Sequence, residues 1–255
     1  MIRSFTAIAL LLALPAFGLA QQKKDPTAEI LAKLRSPCDL NVAGTIPLGE
    51  LTELIGKRHE IPVIVNNTAY QNLVGEAPTD SAIKLPKAAK GLPLSTVLKT
   101  ALAEKGSTYL VRRTHIEIVP IGAAAKEAKI PASDEDGFTH LTQPLISAIY
   151  KEKPLNEALA DLAEENDLTI VVAPQAGDNK IGFVSARLLN VPADKAIELI
   201  AVQADLRVVK KANGYLITSG DHAAELFNEE IERKQKKLEL ERPAVGGLIG
   251  MPPTK

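Results

Sequence analysis

The sequence predicts an α+β protein: two small β-α-β-β-α-β-β domains, each a small sheet with two helices on one face, followed by a C-terminal helix. Three observations carry this. One order of elements recurs along the chain at a near-constant offset. Short β-branched runs are bounded by prolines or by an Asn-Gly pair. Apolar residues recur at helical spacing directly after prolines.

The recurrence is visible in two segments. Ile46-Pro47-Leu48-Gly49-Glu50-Leu51 runs on to Ile61-Pro62-Val63-Ile64-Val65. Lys153-Pro154-Leu155-Asn156-Glu157-Ala158 runs on to Leu168-Thr169-Ile170-Val171-Val172. Pro47 and Pro154 lie 107 positions apart, as do Val65 and Val172. Later, Gly91-Leu92-Pro93-Leu94 matches Asn190-Val191-Pro192-Ala193, and Ile116-Glu117-Ile118 matches Tyr215-Leu216-Ile217, now at an offset of 99. The drop predicts an eight-residue insertion in the first copy, around Asn66 to Ser81.

The elements follow in order. Asp25-Pro26 caps a short helix through Arg35, within an N-terminal helix and connector over 21–39. The first domain spans 40–121, and its second helix runs from Pro93 to about Glu104. Gly122 to His140 reads as an exposed linker (122–140) with a short helical start, because alanines are followed by Pro131 and the run Ser133-Asp134-Glu135-Asp136-Gly137. The second domain spans 141–220. Leu145 to Tyr150 is its first strand. Pro154 opens a helix whose apolar stripe is Leu155, Ala158, Leu159, Leu162 and Ala163. Leu168 to Val172 is a strand stopped by Pro174, and Phe183 to Leu189 is another. Pro192 opens a helix burying Ala193, Ala196, Ile197, Ile200 and Ala201. Leu206–Val209 and Tyr215–Thr218 pair across Asn213-Gly214. A charged helix follows over 221–242, and 243–255, with Gly246-Gly247 and Pro252-Pro253, reads as a disordered tail.

Residues 1–20 have the three parts of a cleavable signal peptide. Arg3 supplies the positive charge, Phe5 to Leu14 an uncharged apolar run, and Gly18-Leu19-Ala20 the small residues before a cleavage between Ala20 and Gln21. The run falls short of the roughly 20 apolar residues a bilayer requires. The expected address is therefore periplasmic or extracellular, with no direct membrane insertion after cleavage. Losing Arg3 leaves 29 basic against 31 acidic residues, a net charge of −2, which gives no reason to expect nucleic acid as a partner. Aromatics are 4% of the chain and Trp is absent, so the core must be aliphatic. Cys38 is the single cysteine, which excludes an internal disulfide; it reads as a connector residue, with pairing between chains as the alternative.

No constellation announces a reaction, so the chain is expected not to be an enzyme and to carry no catalytic, cofactor-binding or metal site. His59, His115, His140 and His222 lack zinc-ligand spacing. Asp134-Glu135-Asp136 lacks the alternation of a calcium loop. Glu164-Glu165 reads as solvated. Ser219, Asp221 and His222 read as a strand end passing into a helix cap, with Asp221 the N-cap. Arg233-Lys234-Gln235-Lys236-Lys237 lies between glutamates, the pattern of a solvated helix with i,i+4 pairs.

The repeated unit resembles the short N-terminal domain shared by bacterial secretins and TonB-dependent receptors. The likeness lies in Lys153-Pro154-Leu155-Asn156-Glu157-Ala158-Leu159 with Leu168 to Val172, in Leu189-Asn190-Val191-Pro192-Ala193-Asp194-Lys195-Ala196-Ile197, and in Gly214-Tyr215-Leu216-Ile217-Thr218. The second copy matches over 145–220 and the first more loosely over 40–120. The resemblance implies a periplasmic protein-interaction module without catalytic residues, whose partners are envelope proteins or further copies of itself. No counterpart of the family's membrane β-barrel is expected among these residues. A self-assembling structural subunit and a periplasmic enzyme or small-ligand carrier are the alternatives.

Overall fold

Proline followed by an aliphatic residue starts five of the helices in this protein, and it does so the same way each time. In the computed structural model, which describes residues 25–40, 44–75, 78–86, 89–135 and 138–241, Pro47, Pro93, Pro120, Pro154 and Pro192 each end an extended segment at φ between −59° and −53°. The next residue begins the helix and is buried: Leu48, Leu94, Ile121, Leu155 and Ala193. Its N–H would be left over at the helix start. Here it donates to a distant carbonyl: Leu48 to Ser81 at 2.9 Å, Leu94 to Ser36 at 3.0 Å, Ile121 to Gly106 at 2.9 Å, Leu155 to Gly182 at 2.7 Å and Ala193 to Pro144 at 3.0 Å. Pro154 and Pro192 thus stand one position before the helix rather than inside it, because the preceding strand continues to the proline.

After α1 (Pro26–Arg35) the first half contains β1 (Thr45–Pro47), α2 (Leu48–His59), β2 (Val63–Val65), α3 (Asn67–Leu73), β3 (Ala82–Lys84), α4 (Leu94–Ala103), β4 (Ser107–Val111) and β5 (Ile116–Pro120). Between the halves lie α5 (Ile121–Ala128), β6 (Ala132–Glu135) and β7 (Phe138–Leu141). The second half contains β8 (Leu145–Pro154), α6 (Leu155–Asn166), β9 (Ile170–Val172), β10 (Phe183–Pro192), α7 (Ala193–Gln203), β11 (Leu206–Lys211) and β12 (Gly214–Ser219), and α8 (Gly220–Glu241) follows. The chain is therefore a mixed α+β protein with several small sheets.

Strand pairings repeat between the halves. β1 pairs antiparallel with β3, and β8 with β10. β2 runs parallel to β5, which pairs antiparallel with β4; β9 runs parallel to β12, which pairs antiparallel with β11. Each half therefore has two small sheets where one was expected. The reason is local: β8 passes into α6 without a loop, the helix leads the chain off the ladder, and the next strand joins β12 instead.

The registers also place the insertion. Pro47 faces Ala82 and Pro154 faces Phe183, so the offset has fallen from 107 to 101 by β3, and it reaches 99 at Pro93 and Pro192. Six of the eight extra residues lie around α3, as expected, and two lie between Lys84 and Pro93. β8 and β10 outrun the expected Leu145–Tyr150 and Phe183–Leu189 because two bulges let pairing continue. At one, Ser185 lies opposite Lys151 and Glu152; at the other, Leu189 and Asn190 lie opposite Ser147.

Left-handed residues mark matching places. Glu60 and Asp167 end α2 and α6, Gly106 and Asp205 follow α4 and α7, and Gly91 and Asn190 precede the Pro93 and Pro192 junctions, all at positive φ. The hairpin loop between β11 and β12 is Ala212-Asn213, not Asn213-Gly214, since Lys211 pairs with Gly214. Gly214 is required for another reason: a Cβ there would stand 2.6 Å from the Thr169 carbonyl oxygen.

One core joins Ile30, Leu31 and Leu34 of α1 to Leu51, Ile55, Leu98, Leu102, Ile116 and Ile118. The other gathers Leu155, Leu159, Leu162, Ile197, Ile200, Leu206 and Ile217, with alanines at 148, 158, 196 and 201 where helix and strand approach closely. Fully burying one such aliphatic side chain contributes about 1.5–3 kcal/mol.

Residues 122–140 are not the exposed linker expected. α5 packs on β4 and β5 through buried Ala124 and Ala125, and β6 and β7 form a hairpin. Small alanines let the helix lie close to the strands. Pro120-Ile121 is the same strand-to-helix junction seen elsewhere, a signal present in the sequence. Cys38 does lie in the connector after α1, outside any helix or strand, and it is buried there. It is 2% exposed in the first core, and its N–H donates to Leu92 O at 2.7 Å, so pairing between chains would require the fold to open. The expected signal peptide (1–20) and tail (243–255) lie outside the described residues.

Candidate functional site

A cleft of about 230 Å³ lies between the two halves, and no residue expected to carry chemistry had pointed to it. Its floor is β4, an edge strand of the first half. Its walls are α1, α4, the C-terminal end of α6 and the first residues of β8.

Asn190 closes one end. Its left-handed backbone at φ 54° sits on the bulge facing Ser147, and the Ser147 hydroxyl accepts its N–H at 2.9 Å. This turns the side-chain amide toward β4. There the amide oxygen accepts the Val111 N–H at 2.8 Å while the amide nitrogen donates to Val111 O at 2.9 Å. One side chain thus pairs with an exposed strand edge as a neighbouring strand would, and joins the halves.

Further polar groups line the cleft. Ser95, Lys99 and Ala103 recur one turn apart on α4 and line the cleft. The Lys99 ammonium donates to Asn166 Oδ1 at 3.1 Å and, among the described residues, has no carboxylate within salt-bridge distance. Burial pulls its pKa below the usual lysine range, against the weaker pull of the Glu165 charge. Glu165 forms a bidentate pair with Arg35 of α1: Nε to Oε1 at 2.6 Å and Nη2 to Oε2 at 3.2 Å. Burial nevertheless pushes the Glu165 carboxyl up. Tyr109, on β4, lines the same space, and burial raises its hydroxyl pKa. Arg187 adds a further tie between the halves, reaching Asp25 and the Thr27 hydroxyl at the start of α1.

The expected residues fare differently. Glu165 is exposed, as expected, and it also lines the cleft, as does His140. His222 faces the Thr218 hydroxyl at 2.9 Å. Ser219, not Asp221, caps α8: its hydroxyl lies 3.4 Å from the His222 N–H, and Asp221 falls inside the first turn. His59 is part-buried, its Nε2 has no partner among the described residues, and burial lowers its pKa. His115 lies beside the Thr114 hydroxyl in the β4–β5 loop. Asp134 and Glu135 fall in β6; Asp136 lies outside the described residues. The run from Arg233 to Lys237 is exposed, with Arg233–Glu229 and Lys234–Glu230 pairs. Among the described residues no three His, Cys, Asp or Glu side chains converge as metal ligands, and no helix is long and apolar enough to cross a membrane.

A second surface is built alike in both halves. Ile116 N–H donates to Pro62 O and Asn66 N–H to Ile118 O, so Val63 and Val65 turn their backbone groups away from β5. Likewise Tyr215 N–H donates to Thr169 O and Ala173 N–H to Ile217 O, leaving Ile170 and Val172 facing outward. No strand pairs on those outer sides among the described residues. The side chains between them, Ile64 and Val171, are 50% and 52% exposed.

The fold and these surfaces define a mixed α+β protein whose two halves share strand pairings. No model of a known protein family matches the chain, and no curated protein matches it.

Proposed function

We propose that this chain is an exported protein-interaction module, two tandem β-α-β-β-α-β-β domains of the kind that precede the barrels of secretins and TonB-dependent receptors. The observation that carries it is the pair of open edges on β2 and β9, each beside an exposed aliphatic residue at the same place in its half. An extended segment of an envelope protein adds to such an edge through backbone hydrogen bonds. Proline removes the N–H that a new strand needs. Val65→Pro and Val172→Pro remove outward N–H groups but also trim side chains packed on the two cores; in variants whose fold circular dichroism verifies, binding falls at least tenfold. Recovery of the same envelope proteins at native salt by wild type and by the double variant would overturn the reading. Export is tested separately: the mature protein should begin at Gln21 by N-terminal sequencing.

Self-assembly is a second reading, favoured by Phe227, Ile231 and Leu238, all exposed along α8. Strictly monomeric sedimentation at high concentration would remove it.

A further inference from the structure

We propose that the cleft between the halves binds a small monocarboxylate with an apolar body, the carboxylate held by Lys99. The site is distinct from the open edges and stands independently of the interaction reading.

Four observations lead to it. The first is charge. Arg35 and Glu165 neutralise each other through their bidentate pair, so the ammonium of Lys99 is the charge left to attract a ligand. The second is unused bonding capacity. An ammonium has three N–H donors, and one is spent on Asn166. The Tyr109 hydroxyl, on the same lining, makes no side-chain hydrogen bond among the described residues. The third is cost. Lys99 is the one charged residue in a helix otherwise made of Leu, Ser, Thr, Val and Ala. Keeping a half-buried charge with a single neutral acceptor costs stability, and a bound anion removes that cost. The fourth is shape. Leu31, Leu34, Val111, Leu141 and Leu145 supply apolar walls around about 230 Å³. A cavity of ~150 Å³ already holds a benzene ring, so this one takes on the order of ten non-hydrogen atoms.

Geometry also selects against other ligands. A dianion or a phosphate would bring a second negative charge with no cation left to meet it, since Arg35 is spent on Glu165, and a cation would meet Lys99 itself. A monocarboxylate places one oxygen on Lys99 and the other within reach of a hydroxyl donor, with its carbon body against the leucines. Such a group belongs to short-chain fatty acids and to arylacetic acids alike. The probes below separate these two sources.

The experiment is titration of the full chain with hexanoate and with phenylacetate, followed by amide chemical shifts and by calorimetry. At least one of the two should saturate with a dissociation constant of about 1 mM or tighter. The neutral isosteres hexanamide and phenylacetamide should bind at least tenfold more weakly. Lys99→Met should lose carboxylate binding by at least tenfold, and Ala103→Leu, which fills the cleft from the same helix face, should lose it too. Failure of both acids to shift the cleft residues overturns the proposal. So does equal binding of acid and amide to the unmodified protein, a comparison that does not depend on either variant folding. Full carboxylate affinity in a folded Lys99→Met overturns the assignment of the ammonium.

Discussion

At three matching places the two halves need a left-handed backbone, and they meet the need with different residues. Before the second helix the first half has Gly91 and the second has Asn190. After that helix the first has Gly106 and the second has Asp205. After the first helix both have an acid, Glu60 and Asp167. Glycine adopts this conformation without strain, whereas Asn and Asp tolerate it at a small cost. The cost at Asn190 brings a gain that Gly91 cannot: its amide binds the Val111 edge of the other half. A backbone requirement common to both copies has become an interface in one of them. Matching helix positions diverge in the same way. Lys99 of α4 lies in the cleft, while Glu198, at the equivalent place on α7, faces solvent and pairs with Lys195.

Four substitutions test this comparison. Asn190→Gly makes the second half like the first and strands the Val111 N–H and C=O. It should cost about 2 kcal/mol in urea unfolding, the scale of part-buried backbone groups left without partners. A change under a few tenths would mean that the amide does not hold the halves together. Lys99→Met removes the half-buried charge and should raise stability by about 1 kcal/mol, whereas Glu198→Met, on the solvated face, should change it little. Asp205→Gly copies the first half's Gly106 and should raise stability by about 0.5 kcal/mol, read as a higher thermal midpoint.

The smallest effect depends on pH. Arg112, at the end of the first hairpin, joins Glu117 on β5 to Glu127 on α5; Lys211 holds the equivalent place in the second half. The Arg112 guanidinium holds the Glu127 carboxyl below its usual range. A carboxyl depressed by folding stabilises above its unfolded pKa and loses that contribution as pH falls through its folded one. Glu127→Gln should therefore cost about 0.3 kcal/mol at neutral pH, since the pair is half exposed, and nothing in strong acid. Equal stability loss at both ends of the pH range would show that the carboxylate charge is not involved.

The α+β character, the repeat and the proline junctions were legible in the sequence because each depends on residues near one another in the chain. Proline sets φ, an aliphatic residue after it seeks the core, and periodicity divides the faces. Where that reading fell short, the signal was present but brief. Pro120-Ile121 opens α5 by the rule that opens the other four helices, yet the acidic residues after it suggested a linker. Lys99 was not singled out, because nothing local distinguishes a lysine facing a cleft from one facing water. The sequence by itself thus determined the helices that follow prolines in the two copies, most of the strands of the second half, and that the order recurs. Tertiary structure decided that Asn190 meets Val111, that Arg35 of the first helix meets Glu165, and that Lys99 overlooks their cleft. These partners lie between 67 and 130 positions apart in the chain. Contacts at such separations depend on how the two halves dock, which no spacing rule encodes.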